Sequence, residues 1–72
     1  MSSDTTLGAR LRETRVGNGI TQIELALRVE CHDQEISRYE RDAIVPKHDR
    51  LVALANALRV DPGWLLFGEA AA

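Results

Sequence analysis

Residues 31–50 carry most of the side chains in this chain that are capable of chemistry: Cys31, His32, Asp33, Gln34, Arg38, Arg41, Lys47 and His48. Metal binding is one chemistry to test, but the steps from Cys31 to His32 and on to His48 follow no zinc-ligand spacing, so no metal is expected. Catalysis is no better served. No Ser/His/Asp or Cys/His arrangement stands in a recognisable frame, no glycine-rich phosphate loop is present, and 72 residues leave little room for an enclosed pocket. What remains is recognition by hydrogen bonding. Gln pairs with adenine, Arg with guanine, and Asp accepts from cytosine N4. Asp33, Gln34, Ser37, Arg38 and Arg41 offer that set in one short segment, although any solvated helix carries such residues.

Side chains that read base edges need a rigid element beneath them. Helical geometry over about Asp33 to Arg41 turns Ile36 inward and leaves Asp33, Gln34, Ser37, Arg38 and Arg41 largely elsewhere. The segment before it opens with the best start signal in the sequence. In Thr21-Gln22-Ile23-Glu24 a hydroxyl and a carboxylate three residues apart can satisfy each other's free backbone N–H groups, and Ile20 with Leu25 matches a hydrophobic staple. Leu25, Ala26 and Val29 form the inner face of that helix, which ends near Glu30. Two helices joined by about three residues, the first capped and the second polar outside, are what a helix-turn-helix requires.

Three further helices surround this pair. The first covers about Thr6 to Asn18, with Leu7, Leu11 and Arg15 on one face, a Thr5 or Thr6 cap, and Gly19 to end it. Arg10 and Arg12 read as a solvated face of that helix. Ala43 to Pro46 reads as a loop. A helix over about His48 to Leu58 places Leu51, Leu54, Ala55 and Leu58 on one side, and Asp61-Pro62 opens a last short helix through Leu66. Nothing alternates like a strand, and the fold is expected to be all-α. With only Tyr39, Trp64 and Phe67 as aromatics, the core must come from Leu, Ile, Val and Ala. Cys31 is the only cysteine, which excludes an internal disulfide and makes a small buried apolar role its expected one. No apolar stretch approaches the ~18 residues of a membrane span, and the polar start Met-Ser-Ser-Asp-Thr-Thr is no signal peptide, so a cytoplasmic location without membrane partners is expected.

Charge is ambiguous. The chain carries a formal net charge of −2, and between Arg28 and Arg50 five cations meet six acids, so no basic stripe exists in the sequence. Composition therefore permits duplex binding without predicting it. Asp33 and Glu35 lie on the same helix as Gln34 and Arg38. Near phosphate they repel, so either they accept from cytosine or they point away.

The pattern Thr21-Gln22-x-x-Leu25-Ala26, Ile36-Ser37-Arg38-Tyr39-Glu40-Arg41, Pro46, Leu51-x-x-Leu54-Ala55-x-Ala57-Leu58 and Leu65-Leu66 resembles the Cro/C1-type (XRE-like) helix-turn-helix family. Leu7, Leu11, Arg12, Arg15 and Gly19 extend the match upstream, and Trp64-Leu65-Leu66-Phe67-Gly68 is similar to phage repressor N-terminal domains. The resemblance implies a compact five-helix, lambda-repressor-like bundle over 1–72, with the helix-turn-helix at about 21–41 and flexible ends at 1–5 and 69–72. It implies a sequence-specific regulator of transcription, not an enzyme, that binds double-stranded DNA without a cofactor. Such a regulator is expected to be a homodimeric repressor on a two-fold operator, with helix 33–41 in the major groove. His32, Asp33, Gln34 and Arg38 would then face base edges, and Gln22, Arg41 and Lys47 the phosphates. Arg15 and Glu40 would form a structural ion pair. Trp64 and Phe67 would either close the core or form a dimer patch. A protein-interaction or antitoxin-like module on the same fold is the alternative that the acidic balance suggests. Four positions depart from the pattern: Glu30, Asp42 and Arg59 stand where the family commonly has glycine, and His32 where Ser or Thr commonly caps the third helix.

Overall fold

Five helices follow in chain order: α1 (Leu7–Gly17), α2 (Gln22–Val29), α3 (Asp33–Glu40), α4 (His48–Leu58) and α5 (Pro62–Phe67). They come from a computed structural model that describes residues 6–68, so the expected flexible ends, 1–5 and 69–72, lie outside the described residues. No strand forms among the described residues, and no helix is long and apolar enough to cross a membrane.

Local chemistry accounts for most helix starts. The Thr6 hydroxyl accepts from Ala9 N–H at 3.1 Å and opens α1. Thr21 and Glu24 exchange both capping-box bonds, at 2.7 and 3.0 Å, and open α2. The bond from the Thr21 N–H holds the Glu24 carboxyl below the usual carboxylate range. Asp61 caps α5 by accepting from Trp64 N–H at 2.9 Å, with Pro62 at the first position. The starts of α3 and α4 receive no side-chain cap from His32 or Lys47. At α3 the departure of His32 from the family's Ser or Thr therefore leaves the helix without a side-chain cap from that position.

Three helix ends share one device. Glu30, Asp42 and Arg59 have φ of 60°, 59° and 61°. Just beyond each, an N–H returns to the last turn: Cys31 to Ala26, Ala43 to Arg38 and Val60 to Ala55, all at 2.9 Å. Each non-glycine residue there costs about 1 kcal/mol in left-handed backbone. At Asp42 the side chain supplies a compensation. Its carboxylate accepts from Gly8 N–H at 2.9 Å and from the Thr6 hydroxyl at 2.6 Å, so the end of α3 caps the start of α1 across the fold.

That approach leaves no room at Gly8. A Cβ there would lie 2.5 Å from Tyr39 O and 2.6 Å from Glu40 O, both backbone atoms that cannot swing aside. Gly8→Ala is expected to push α1 off α3 and cost about 1–3 kcal/mol. Urea denaturation checks it; an unchanged midpoint would mean that the two helices do not pack this closely in solution.

The core gathers one stripe from every helix. Leu11, Leu25, Ile36, Leu54, Leu58 and Leu65 are the largest side chains fully buried, with Ile20, Ala26, Tyr39, Leu51 and Ala55 packed around them. Burying a Leu or Ile side chain contributes roughly 1.5–3 kcal/mol, enough to hold helices that would be marginal alone. α3 packs on α2 and α1, and α5 on α4 and α1.

One expectation for α1 fails. Arg10 is not a solvated side chain but is 6% exposed, and it donates to Leu65 O at 3.0 Å and Leu66 O at 2.8 Å. The last carbonyls of a helix lack intrahelical donors and carry its negative dipole end, so a guanidinium there is doubly favoured. Arg12 remains exposed, as expected.

Candidate nucleic-acid interface

The short turn between α2 and α3 is built from Glu30 in left-handed geometry, Cys31 and His32. Cys31 is half-buried rather than fully buried, and desolvation pushes its thiol up from the usual range. The turn sets α3 across the start of α2, and a three-residue network pins them. The Arg15 guanidinium donates to Glu40 at 2.6 and 3.1 Å and to Ile20 O at 2.8 Å. Glu40 also accepts from Gln22 Nε2 at 3.0 Å. The pair is well shielded, with side-chain exposures of 11% for Arg15 and 3% for Glu40.

On the outer side of α3, His32, Asp33, Gln34 and Arg38 are all exposed. Gln22 is half-buried and lines one shallow cleft with Thr21, Ile23 and Asp33. Arg41 is exposed, with its Nε only 3.4 Å from Ser37 O, and Lys47 is exposed ahead of α4. The fold thus gathers the expected base-facing and phosphate-facing side chains around one helix. Trp64 and Phe67 stand apart on α5. Trp64 packs partly against the core, whereas Phe67 is 75% exposed.

The acids of this segment divide sharply. Glu35 turns away from the outer face and accepts from Arg50 Nη1 at 3.1 Å and from the Tyr39 hydroxyl at 3.3 Å. Burial pushes the Tyr39 phenol up from its usual range, so at neutral pH it stays a donor to that carboxylate. Glu40 is taken by Arg15 and Gln22, and Asp42 by Gly8 and Thr6. From His32 to Lys47, Glu35 and Glu40 are paired with arginines, which leaves Arg38, Arg41 and Lys47 against Asp33 and against Asp42, whose carboxylate keeps its charge but is held by the start of α1. Sequence reasoning missed the Glu35–Arg50 pair and the Asp42 clamp. The spacing of Glu35 and Tyr39 is one helical turn, a usable local signal; Arg50 and Gly8 lie too far along the chain to have one. Among the described residues no three His, Cys, Asp or Glu side chains converge as a metal site would require.

A helix-turn-helix family model matches residues 11–65, most of the chain. The chain belongs to the helix-turn-helix family. Within that family it is similar to the HTH-type transcriptional regulator ImmR of Bacillus subtilis (strain 168), 40% identical over 60 residues that are 83% of this chain and 47% of ImmR. It is also similar to the HTH-type transcriptional regulator DicA of Escherichia coli (strain K12), 32% identical over 94% of this chain and 50% of DicA. This helix-turn-helix chain therefore spans about half the length of the curated relatives it matches. Its backbone follows that of the P22 c2 repressor crystallised with synthetic operator 9T, with a TM-score of 0.88, 34% identity, and coverage of 90% of this chain and 98% of that one. The Cro/C1-type resemblance and the all-α, phage-repressor-like bundle expected from the sequence both hold. The relatives are named as regulators of transcription, not as enzymes.

Proposed function

We propose that this helix-turn-helix domain is the DNA-binding unit of a transcriptional regulator of repressor type, and that it reads double-stranded DNA with α3 in the major groove. One observation carries the reading: α3 presents Gln34 and Arg38 outward while Glu35 and Glu40 on the same helix are tied down by Arg50 and Arg15. On α3 itself the one acid left without a cation is thereby Asp33, which has cytosine N4 as a matching donor. Of the acids that suggested a protein-interaction module, the two on α3 that could have spoiled its outer face, Glu35 and Glu40, are paired with arginines. Similarity to the operator-bound P22 c2 repressor supports the same assignment.

In this scheme His32, Asp33, Gln34 and Arg38 meet base edges, and Gln22, Arg41 and Lys47 meet the backbone. Two copies bind related half-sites about one helical turn apart. The exposed Phe67 on α5 supplies an apolar surface for the contact between copies, with Trp64 behind it. The free thiol of Cys31 suits the reducing cytoplasm in which we place the protein.

Selection of bound sequences from random DNA tests activity and symmetry together. A two-fold motif is expected; no enrichment over bulk duplex sinks the proposal. Arg38→Ala is expected to relax the preference at one base pair and weaken specific binding by about 1–3 kcal/mol. Equal weakening on every sequence would make Arg38 a backbone contact instead.

A further inference from the structure

Among the seven side chains assigned to the interface, Gln22 alone is half-buried, and it is the one held by another side chain across the fold. We propose that Glu40 is a positioning residue that orients the Gln22 amide toward the DNA phosphate, a role that rests on the phosphate contact proposed above. Glu40 reaches no duplex in this scheme; it acts through Gln22.

The geometry runs from α1 outward. Arg15 grips both oxygens of Glu40, Nε to Oε2 at 2.6 Å and Nη2 to Oε1 at 3.1 Å, while its Nη1 donates to Ile20 O at 2.8 Å. The carboxylate is therefore fixed relative to the backbone two residues before Gln22. Its Oε1 then accepts from Gln22 Nε2 at 3.0 Å. A glutamine amide can present either its oxygen or its nitrogen to a neighbour, but an ionised carboxylate can only accept. Glu40 thus selects the nitrogen-inward orientation. That nitrogen carries two hydrogens: one is used on Glu40, and the other is left for an outside acceptor, which is what a phosphate oxygen is. Arg15 offsets the carboxylate charge, so the positioning group adds little repulsion of its own. The torsions of Gln22 are also set before DNA arrives, whereas exposed Gln34 must lose rotamer freedom on binding.

Two measurements test this. In 15N relaxation of the unbound protein, the Gln22 side-chain amide should approach the order parameter of rigid backbone, about 0.85, with the Gln34 amide below about 0.6. Equally low values for both overturn the proposal. The second is a half-site titration with Gln22→Met, Glu40→Asp and the double variant. Gln22→Met should weaken binding about three- to tenfold. Glu40→Asp keeps a charge opposite Arg15 but draws it back by one methylene; it should reproduce part of that loss in the parent and none in the Gln22→Met background. Equal loss in both backgrounds marks Glu40 as merely structural and overturns the positioning role while sparing the phosphate contact. No loss from Gln22→Met overturns the phosphate contact, and the positioning role with it. If Glu40→Asp does not fold, the relaxation result on the unaltered protein decides.

Discussion

Arg15→Met is expected to destabilise the domain by about 3–5 kcal/mol, because it leaves the Glu40 carboxylate charged, 3% exposed and without its cation. A chain of this length has a total stability of only about 4–11 kcal/mol, so the variant should be unfolded or close to it at ambient temperature. The size of the effect comes from desolvation. The attraction within a buried pair roughly offsets the cost of burying both charges, but removing one partner leaves the cost without the attraction. The same reasoning predicts a reversal. Replacing both members, Arg15→Met with Glu40→Leu, removes both charges and should be less destabilising than the worse single change. Gln22 and the Ile20 carbonyl lose partners in that variant, but Gln22 is half-buried and can turn to water. Urea midpoints for the three variants decide; a double variant that loses the sum of the two single losses would refute buried-charge energetics here.

The second large effect is expected at Arg10. Arg10→Met keeps the aliphatic stem but removes the donors that meet Leu65 O and Leu66 O. Hydrogen bonds to a charged group contribute about 1.5–3 kcal/mol each, and Leu66 O regains some water, so a net loss of about 3 kcal/mol is expected. The loss should also be local. α5 is only six residues long and depends on its partners to persist, so its amide protons should exchange fastest in the variant. Arg10→Lys should recover part of the stability, since an ammonium restores charge and donors but not the planar fork. A change below about 0.5 kcal/mol for Arg10→Met would show that the guanidinium does not hold α5 in solution.

These two arginines also divide what was legible in the sequence. The Arg15–Glu40 partnership is implied by the Cro/C1-type pattern, whose residues stand at both positions. Arg10 has no such signal. It lies on α1 with Arg12, yet Arg12 is exposed and Arg10 is buried. What separates them is the position of α5, more than fifty residues away, and no local pattern encodes that.

The segment from Thr21 to Arg50 shows the same division more finely. Side-chain types and local spacing alone establish the capped α2, the inward Ile36, the helical stripe Leu51, Leu54, Ala55 and Leu58, and the Asp61-Pro62 start of α5. Each depends on interactions within about four residues, where helix geometry converts spacing directly into contact. The three glycine replacements stood out only against the family pattern, and the structure shows that all three keep left-handed backbone. The opposing acids were the real ambiguity. A count of five cations against six acids between Arg28 and Arg50 treats every charge as solvated, and only packing reveals which ones are consumed. Glu35 reaches Arg50, Glu40 reaches Arg15 and Gln22, and Asp42 reaches Thr6 and Gly8, over separations of 15, 25, 18, 36 and 34 residues. The sequence by itself thus determined the helices and the polar side chains that α3 carries. The tertiary structure decided which charges are paired or held, Glu35 and Glu40 by arginines and Asp42 by neutral donors, because a charge interacts with whatever lies beside it in space.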